Sequence, residues 1–281
     1  MNSFCEICSL CEHVLWTIEI PKKSPKAAEN ESRAYVTALA RGLSVMKAFD
    51  DQHASLTLSD VARIVGLPRA SARRALLTLQ SLGYVNSNGR MFSLSPQVLT
   101  LARAYLASSP VPRVAQGFLE KVSEGLGESC SLSILHGDEV IYIARSTRKR
   151  IGSLHRDVGA HLPAHCTSMG RVLLAALPDI DLNAFIAAAK LQSFTPYTTI
   201  DKDELRGVIQ KIRRNGYSLV DQELEIELRS IAVPIHNAGG RVIAAMNVSA
   251  QASRTTKKQM VDRFLPALRD AAMKMRPLLI G

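Results

Sequence analysis

The stretch LTLSDVARIVGLPRASARRALLTLQSLGYVNSNGRMFSL, residues 56–94, decides the fold of the N-terminal part of the chain. It opens with Thr57-Leu58-Ser59-Asp60, in which a hydroxyl residue is followed three positions later by an acid, a pattern typical of a helix N-terminus. Apolar residues then recur at the helical spacing at Leu58, Val61, Ala62 and Val65. Gly66-Leu67-Pro68 ends this first helix, and Pro68 suits the first turn of a second helix.

The second helix and the segment after it complete a recognisable module. We expect the helix to face inward at Ala72, Ala75, Leu76 and Leu79 and to end at Gly83. Two strand-forming segments follow, and Asn88-Gly89 between them predicts a hairpin with a type I′ turn. Helix, sharp turn, helix and β-wing make a winged helix-turn-helix, whose second helix enters the major groove of DNA.

The charge of this region favours nucleic acid as its partner. Residues 61–119 contain seven arginines and neither Asp nor Glu. A surface of one positive sign suits a polyanion such as DNA. The alternative is a solvated helical face on a winged helix that binds protein. We predict that the DNA-contacting residues are Thr57, Arg69, Ser71, Arg73, Arg74, Thr78 and Arg90.

Length and composition limit the class of protein. A chain of 281 residues that is 47% hydrophobic and 21% charged is expected to form one or two globular domains. The net charge of +10 agrees with a nucleic-acid partner. No apolar run approaches the roughly 18 residues of a membrane helix, and Glu19 interrupts the apolar patch near the N-terminus, which makes a poor signal peptide. We therefore expect a cytoplasmic protein without a membrane partner.

The cysteines permit two interpretations. Cys5, Cys8 and Cys11, followed by His13, have the spacing of part of an iron–sulfur or zinc site. The alternative is a disordered leader over residues 1–34, whose basic, proline-bearing composition cannot bury enough surface to order itself. We assign no metal site and no cofactor. Cys130 and Cys166 fall in apolar surroundings and are expected to be small core residues.

The remaining N-terminal segments suggest the domain boundaries. A helix over residues 36–49 carries an apolar stripe, predicted to pack under the winged helix, at Leu39, Leu43, Met46 and Phe49. After the DNA-binding domain, residues 35–95, Ser95-Pro96 predicts the start of a linker helix within residues 96–112, which ends in a Pro-containing linker from Ser108. A helix this short needs packing to persist. We expect it to pair two subunits through Val98, Leu101 and Tyr105.

The second domain, residues 113–281, reads as α+β. Antiparallel strands with helices grouped around them indicate a sensor-like effector domain. We predict strands over residues 129–135, 139–145, 151–158, 217–220, 230–236 and 241–249, and a loop over 159–165. We predict helices over residues 113–126, 167–177, 182–189, 202–214 and 255–278.

The function of this domain is expected to be binding rather than catalysis. His165-Cys166, with Asp157 upstream, invites comparison with a cysteine nucleophile. Adjacent residues rarely point at one reacting atom, and the chain has no P-loop, no G-x-G-x-x-G and no H-E-x-x-H. The helix that starts near Thr167 offers free backbone N–H groups, a ready anion site. The alternative is an ordinary buried helix start.

Several segments resemble one family closely. Residues 38–43 (ALARGL), the winged helix-turn-helix, residues 162–171 (LPAHCTSMGR) and residues 228–232 (LRSIA) together resemble the IclR family of bacterial transcriptional regulators, from about Tyr35 to the C-terminus. Residues 73–79, 167–175 and 220–225 resemble the branch of that family that controls protocatechuate and 4-hydroxybenzoate breakdown through the β-ketoadipate pathway.

The resemblance implies a mechanism and a set of residues. It implies a homodimer, or a tetramer built as a dimer of dimers, on palindromic promoter DNA, with RNA polymerase as a candidate further partner. It also implies a GAF-like α/β effector domain, joined to the winged helix by the linker helix, that binds a small organic, here aromatic, carboxylate. By resemblance, the effector pocket is lined by Leu154, Leu162, Ser168, Met169, Leu228, Ser230, Met246, Asn247 and Ser249.

Two features of the pocket stay open at this stage. Family members that bind very small acids carry an Asp where Val220 stands, and here the acid is the next residue, Asp221. A charged contact to the carboxylate has three candidates, Arg145, Arg156 and Arg229. The alternatives to the whole assignment are a regulator of another carboxylate pathway and a small-acid-binding enzyme or sensor whose N-terminal domain binds protein.

Overall fold

The computed structural model describes residues 35–50, 52–147 and 157–280. The chain divides into two compact units between Leu101 and Ala102. The leader with Cys5, Cys8 and Cys11 lies outside the described residues, as do Leu154, Arg156 and most of the strand predicted over residues 151–158.

The first unit contains the predicted helix-turn-helix. Its elements in chain order are α1 (Thr37–Met46), β1 (Leu56–Thr57), α2 (Leu58–Val65), α3 (Arg69–Ser81), β2 (Val85–Ser87) and β3 (Met91–Leu94). The predicted capping box is present, because the Thr57 hydroxyl accepts from the Asp60 N–H at 3.2 Å and the Asp60 carboxylate accepts from the Thr57 N–H at 3.3 Å. Gly66 ends α2 with a φ of 67°, a left-handed conformation that glycine adopts without a Cβ clash.

The wing differs from the prediction in two respects. It is a three-stranded sheet in the order β1-β3-β2, because the short segment before α2 also pairs with β3. The type I′ turn is wrong, because it needs positive φ at both central residues and only Gly89, at 94°, has it. The Asn88 side chain instead accepts from the Met91 N–H at 2.9 Å and closes the turn.

The apolar stripe predicted on α1 is only partly buried. Leu39 and Leu43 are 63% and 50% exposed, while Val45 and Phe49 enter the core of this unit. Only the C-terminal end of α1 and the residues after it enter the core, so the first two positions of the stripe remain at the surface.

The segment between the winged helix and the sheet is almost entirely helical. Ser95 caps a 3-10 turn (Pro96–Val98) that continues as α4 (Leu99–Ser108), and α5 (Pro110–Leu126) follows with Ser109 as its N-cap residue. The predicted linker from Ser108 is therefore wrong, because the prolines there occupy the first turn of α5, where a missing N–H costs nothing. Tyr105 packs against the core of the second unit.

The second unit is built on one antiparallel sheet of six strands. They are β4 (Ser129–His136), β5 (Glu139–Ser146), β6 (His161–Pro163), β7 (Ser218–Asp221), β8 (Leu228–His236) and β9 (Val242–Gln251), in the spatial order β6-β5-β4-β9-β8-β7. Residues 161–163, predicted as loop, form the edge strand β6 because Leu162 pairs with Val140 of β5.

Helices cover both faces of this sheet. One face packs against α6 (Ser168–Ala175), α7 (Asp179–Ala188) and α8 (Lys202–Asn215). The other face packs against α5 and a C-terminal helical run made of α9 (Lys257–Gln259), a π-helical turn (Met260–Phe264), α10 (Leu265–Met275) and a 3-10 turn (Arg276–Leu278). The predicted α+β class is confirmed. In the described part of the chain, no helix combines the length and apolar character needed to cross a bilayer.

Candidate functional site

A narrow cavity lies in the second unit, at the start of α6 and against strands β7, β8 and β9. It holds about 340 Å³ of space, its mouth included. Its lining is apolar on some sides and carries hydroxyl and amide groups on others, without any charged residue among those described. The lining residues are Tyr142, Leu162, Cys166, Thr167, Ser168, Val220, Leu224, Leu228, Ser230, Asn247 and Ser249.

Strand alternation places the polar side chains on one wall. Ser230 of β8 lies directly opposite Ser249 of β9, and Asn247 is two residues from Ser249 on the same strand. Because successive side chains of a strand point to opposite faces, all three point to the face covered by α6. The Asn247 Nδ2 donates to the Ser249 Oγ at 3.2 Å.

The start of α6 forms the other wall. Thr167 is its N-cap residue, and its hydroxyl accepts from the Gly170 N–H at 3.3 Å and donates to the Pro163 carbonyl at 2.8 Å. A Cβ on Gly170 would lie 2.3 Å from the Ala164 carbonyl oxygen, so only glycine permits this close approach. The first N–H groups of a helix have no partner within it, and they carry the positive end of the helix dipole. This wall therefore suits an anion.

Two lining atoms are buried without a partner. Among the described residues, neither the Ser168 Oγ nor the Asn247 Oδ1 makes a hydrogen bond. Buried polar atoms are nearly always hydrogen-bonded, and each exception needs an explanation. A ligand with polar groups in the cavity would supply the missing bonds.

The structure brings six of the nine predicted effector residues together. Leu162, Ser168, Leu228, Ser230, Asn247 and Ser249 line the cavity. Met169 does not, because it is buried in the core with its sulfur 3.2 Å from the Ser133 hydroxyl. Met246 does not either, because it alternates with Asn247 and lies in the core on the opposite face of the sheet.

The two candidate arginines that the structure describes make other contacts. Arg229 alternates with Ser230 and points to the opposite face, where its Nε donates to the Asp221 carboxylate at 2.7 Å. Asp221 lies beside Val220 in the chain and also points away from the cavity, where the Lys257 Nζ is 2.9 Å from its carboxylate. The Arg145 Nε donates to the Thr147 hydroxyl at 2.9 Å.

Sequence reasoning missed four lining residues and left a fifth, Val220, open. Cys166 and Thr167 precede Ser168 at the helix start, so their position was a usable signal. Tyr142 alternates with Val140 on β5 and faces the same core, which the strand pattern also contained. Leu224 lies on the loop between β7 and β8, and no periodicity points to it.

His165 and Cys166 are not arranged as a nucleophilic pair. Burial raises the pKa of the Cys166 thiol to about 12, which leaves almost no thiolate at neutral pH. Burial also lowers the pKa of His165, whose Nε2 donates to the Gln192 carbonyl at 3.0 Å. The Asp157 proposed upstream is exposed.

The predicted DNA-contacting residues mostly lie on the surface of the first unit. Arg69, Arg73, Arg74, Thr78 and Arg90 are exposed, and Ser71 is half-buried on α3. Within the described residues, no carboxylate forms an ion pair with these four arginines, so they are available to phosphates or base edges. The Thr57 hydroxyl is half-buried and already engaged with Asp60, to which it donates at 2.6 Å. Their contacts with DNA remain predictions.

Two family models match the chain. The IclR helix-turn-helix domain matches residues 38–89, and the model described as bacterial transcriptional regulator IclR C-terminal matches residues 103–276. The first covers the winged helix, and the second covers the sheet and the cavity.

Curated relatives agree with these matches. The chain is 46% identical over 248 residues to the Pca regulon regulatory protein of Pseudomonas putida, covering 88% of this chain and 85% of the relative. It is 35% identical over 255 residues to the p-hydroxybenzoate hydroxylase transcriptional activator of Acinetobacter baylyi, covering 89% and 94%. The predicted resemblance to the protocatechuate and hydroxybenzoate branch is confirmed by these two relatives.

Solved structures give the same result. A regulator from Rhodococcus sp. RHA1 is 45% identical, has a TM-score of 0.77 and matches 87% of this chain and 98% of its own. The inducer-binding domain of a double mutant of PobR from Acinetobacter, in complex with 3-hydroxybenzoic acid, is 34% identical, with a TM-score of 0.57 over 59% of this chain and 98% of its own. The matched families and relatives are regulators, not enzymes, so the enzymatic alternative is wrong. The chain belongs to the IclR family of bacterial transcriptional regulators.

Proposed function

We propose that this regulator binds a small hydroxylated aromatic carboxylate in the cavity and in response changes transcription of genes for aromatic-acid breakdown in the β-ketoadipate pathway. The observation that carries the proposal is the pair of unpartnered buried oxygens of Ser168 and Asn247 in one cavity. Support for the pathway comes from the relatives, one named for the Pca regulon and one for p-hydroxybenzoate hydroxylase.

The cavity offers a partner for each part of such an effector. The N–H groups at the start of α6 and the Ser168 hydroxyl suit the carboxylate, since the helix dipole favours negative charge there. Ser230, Asn247 and Ser249 suit ring hydroxyls. Leu162 and Leu228 supply apolar walls for the ring. The related inducer-binding domain in complex with 3-hydroxybenzoic acid supports this class of ligand.

Promoter DNA is assigned to the first unit. Residues 35–95 act as the DNA-binding domain, residues 96–112 as the linker helix and residues 113–281 as the effector domain. We assign Arg69, Ser71, Arg73, Arg74 and Thr78 to the major groove and Arg90 to the backbone or minor groove. Thr57 acts mainly by holding the start of α2. Because its partner is promoter DNA, the protein acts in the cytoplasm, where RNA polymerase is a candidate further partner.

A twofold assembly matches a palindromic DNA site. Support for an assembly through α4 comes from its apolar surface, since Leu99 and Leu101 are 68% and 52% exposed. We therefore propose a homodimer, or a tetramer built from two dimers. Val98 is half-buried beside these residues, whereas Tyr105 packs against its own unit and contributes to the assembly less than the sequence suggested.

Calorimetric titration tests the effector class. Protocatechuate, 4-hydroxybenzoate, benzoate and β-ketoadipate are titrated into the full chain and into Ser168→Glu, which places a like charge at the proposed carboxylate position. We expect the hydroxylated aromatic acids to bind the wild type and not the variant, and benzoate to bind more weakly because it leaves polar groups unpaired. The variant should still protect the operator in a footprint. Equal affinities in both proteins would place the effector elsewhere, and binding of β-ketoadipate alone would favour an aliphatic effector.

A further inference from the structure

A buried ion pair beside the cavity has no part in the effector contacts assigned above. Arg171 lies one turn after Ser168 on α6 and is 2% exposed. Its two terminal nitrogens donate to the two carboxylate oxygens of Glu223 at 2.5 and 2.6 Å, and its Nε donates to the His165 carbonyl at 2.6 Å. A bidentate arginine–carboxylate pair fixes orientation as well as distance. Arg171 thus holds Glu223 against the start of α6.

Residues 195–199 hold the same stretch from another side. The Thr199 N–H donates to the Glu223 carboxylate at 3.0 Å. The Thr195 hydroxyl donates to the Gln222 carbonyl at 2.7 Å, and the Thr198 hydroxyl donates to the Glu223 carbonyl at 2.5 Å. Both the backbone and the side chain of Glu223 are therefore held by buried hydrogen bonds.

These contacts anchor the segment Gln222–Glu227, which joins β7 to β8 and which we call the cover segment. It is closed by a hydrogen bond from the Gln222 N–H to the Leu228 carbonyl at 2.8 Å. Gln222 and Glu227, its two ends, have φ of 62° and 66°, and no other non-glycine residue in the described ranges has a positive φ. Such conformations persist where the surroundings hold them. The side chain of Leu224, next to Glu223, lines the cavity.

The cover segment also borders open space. Gln222 and Glu223 line a groove, together with Tyr197 and Lys211, that shares no lining residue with the cavity. This groove holds about 1310 Å³, open solvent included. The segment therefore has room to move once its hydrogen bonds are released.

We propose that Arg171 and Glu223 are positioning residues that hold the cover segment over the cavity, and that their ion pair sets the rate at which an effector enters and leaves. The cavity is narrow, so an aromatic ring needs Leu224 to move before it can pass. That movement separates Glu223 from Arg171 in buried surroundings, where charge-assisted hydrogen bonds are strong. As far as it concerns a ligand, this inference rests on the function proposed above.

The test compares three variants of the full chain. Glu223→Gln removes the charge of the pair, and Thr195→Val removes one backbone hydrogen bond without altering any charge. Asp179→Asn is the matched control, since it breaks a surface ion pair with Arg213 that is not part of the cavity lining. Association and dissociation of radiolabelled 4-hydroxybenzoate are followed by rapid filtration. We expect both rates to rise about tenfold in Glu223→Gln, with a smaller change in Kd, and less in Thr195→Val. Asp179→Asn should match the wild type.

Hydrogen exchange provides a readout that needs no ligand. Amides of residues 222–227 should exchange faster in Glu223→Gln and Thr195→Val than in the wild type and in Asp179→Asn. If the wild type does not bind 4-hydroxybenzoate, the proposed effector is wrong, while the exchange rates still decide whether the tethers hold the cover. Unchanged exchange in both variants would overturn the inference, as would altered affinity with unaltered rates. If Glu223→Gln does not fold, Thr195→Val decides alone.

Discussion

The hydroxyl oxygen of Ser168, on a helix, and the side-chain oxygen of Asn247, on a strand, line the same cavity, and both are buried without a hydrogen bond in the described part of the protein. An unsatisfied buried polar atom costs about 1–3 kcal/mol. A ligand that bonds to both atoms removes this cost, so the two residues link the stability of the effector domain to ligand binding.

Removing one of these atoms should separate stability from binding. We expect Ser168→Ala to raise the free energy of unfolding by about 1 kcal/mol, because an unpaired hydroxyl is lost, and to weaken 4-hydroxybenzoate binding. Ser123→Ala is the matched control, since the Ser123 hydroxyl is also buried and unpartnered but is not part of the cavity lining. It should stabilise the protein and leave the affinity unchanged. Denaturant unfolding and calorimetry measure both quantities. Equal effects of the two substitutions on affinity would contradict the assignment.

The arginines of α3 should contribute to operator recognition. Arg73→Ala or Arg74→Ala should cost about 1–3 kcal/mol if a base contact is lost, with relaxed specificity at one operator position. Arg206→Ala, a change of the same charge on α8 of the other unit, controls for net charge. Gel-shift titrations against operator variants at several salt concentrations make the measurement. Unchanged affinity for alanine variants at positions 69, 71, 73 and 74 would rule out this helix face.

The exposed apolar surface of α4 should be covered in the assembled protein. Leu101→Glu places a charge in the proposed subunit contact and should shift the protein to a smaller species, because burying an unpaired charge is costly. Leu82→Glu, at the end of α3 and equally exposed to solvent here, is the matched control and should not change the mass. Light scattering at micromolar concentration measures both. A monomeric wild type would show that α4 does not pair subunits.

Acid should weaken the ion pair on the far face of the sheet. Burial by itself raises the pKa of Asp221, but hydrogen bonds from Lys257 and Arg229 outweigh it and hold the pKa below its ordinary value. A carboxyl with a lowered folded-state pKa stabilises above its unfolded pKa of about 3.9, and this stabilisation is lost as pH falls through the folded-state pKa.

Asp221→Asn should therefore lower the Tm at pH 7, and the difference from the wild type should shrink as pH falls below about 4. Thermal unfolding between pH 7 and pH 3 makes the measurement. Asp270→Asn, which removes a surface pair with Lys274, should change the Tm little at any pH. A Tm difference for Asp221→Asn that is constant with pH would show that its carboxylate charge is not what stabilises the sheet.

Much of the fold could be predicted because its signals are local. The capping box at Thr57 and Asp60, the glycine after α2 and the helical spacing of α3 each depend on residues a few positions apart. The same holds for the hairpin of β4 and β5 and for α8, whose boundaries the sequence placed within a residue or two. The turn at Asn88-Gly89 was misassigned because the pairing register of β2 and β3, rather than the dipeptide, decides which residues form the turn.

The sequence by itself therefore determined the winged helix, the antiparallel α+β class and the family, since these follow from short-range patterns and matching motifs. Tertiary structure alone decided which side chains share the cavity. Strand alternation separates Asn247 from Met246 and Ser230 from Arg229, but which face becomes a binding wall depends on where α6 packs. Leu224 and the Arg171–Glu223 pair show this most clearly, because they join segments far apart in the chain, and only the packing of α6 and the cover segment on the sheet brings them to one site.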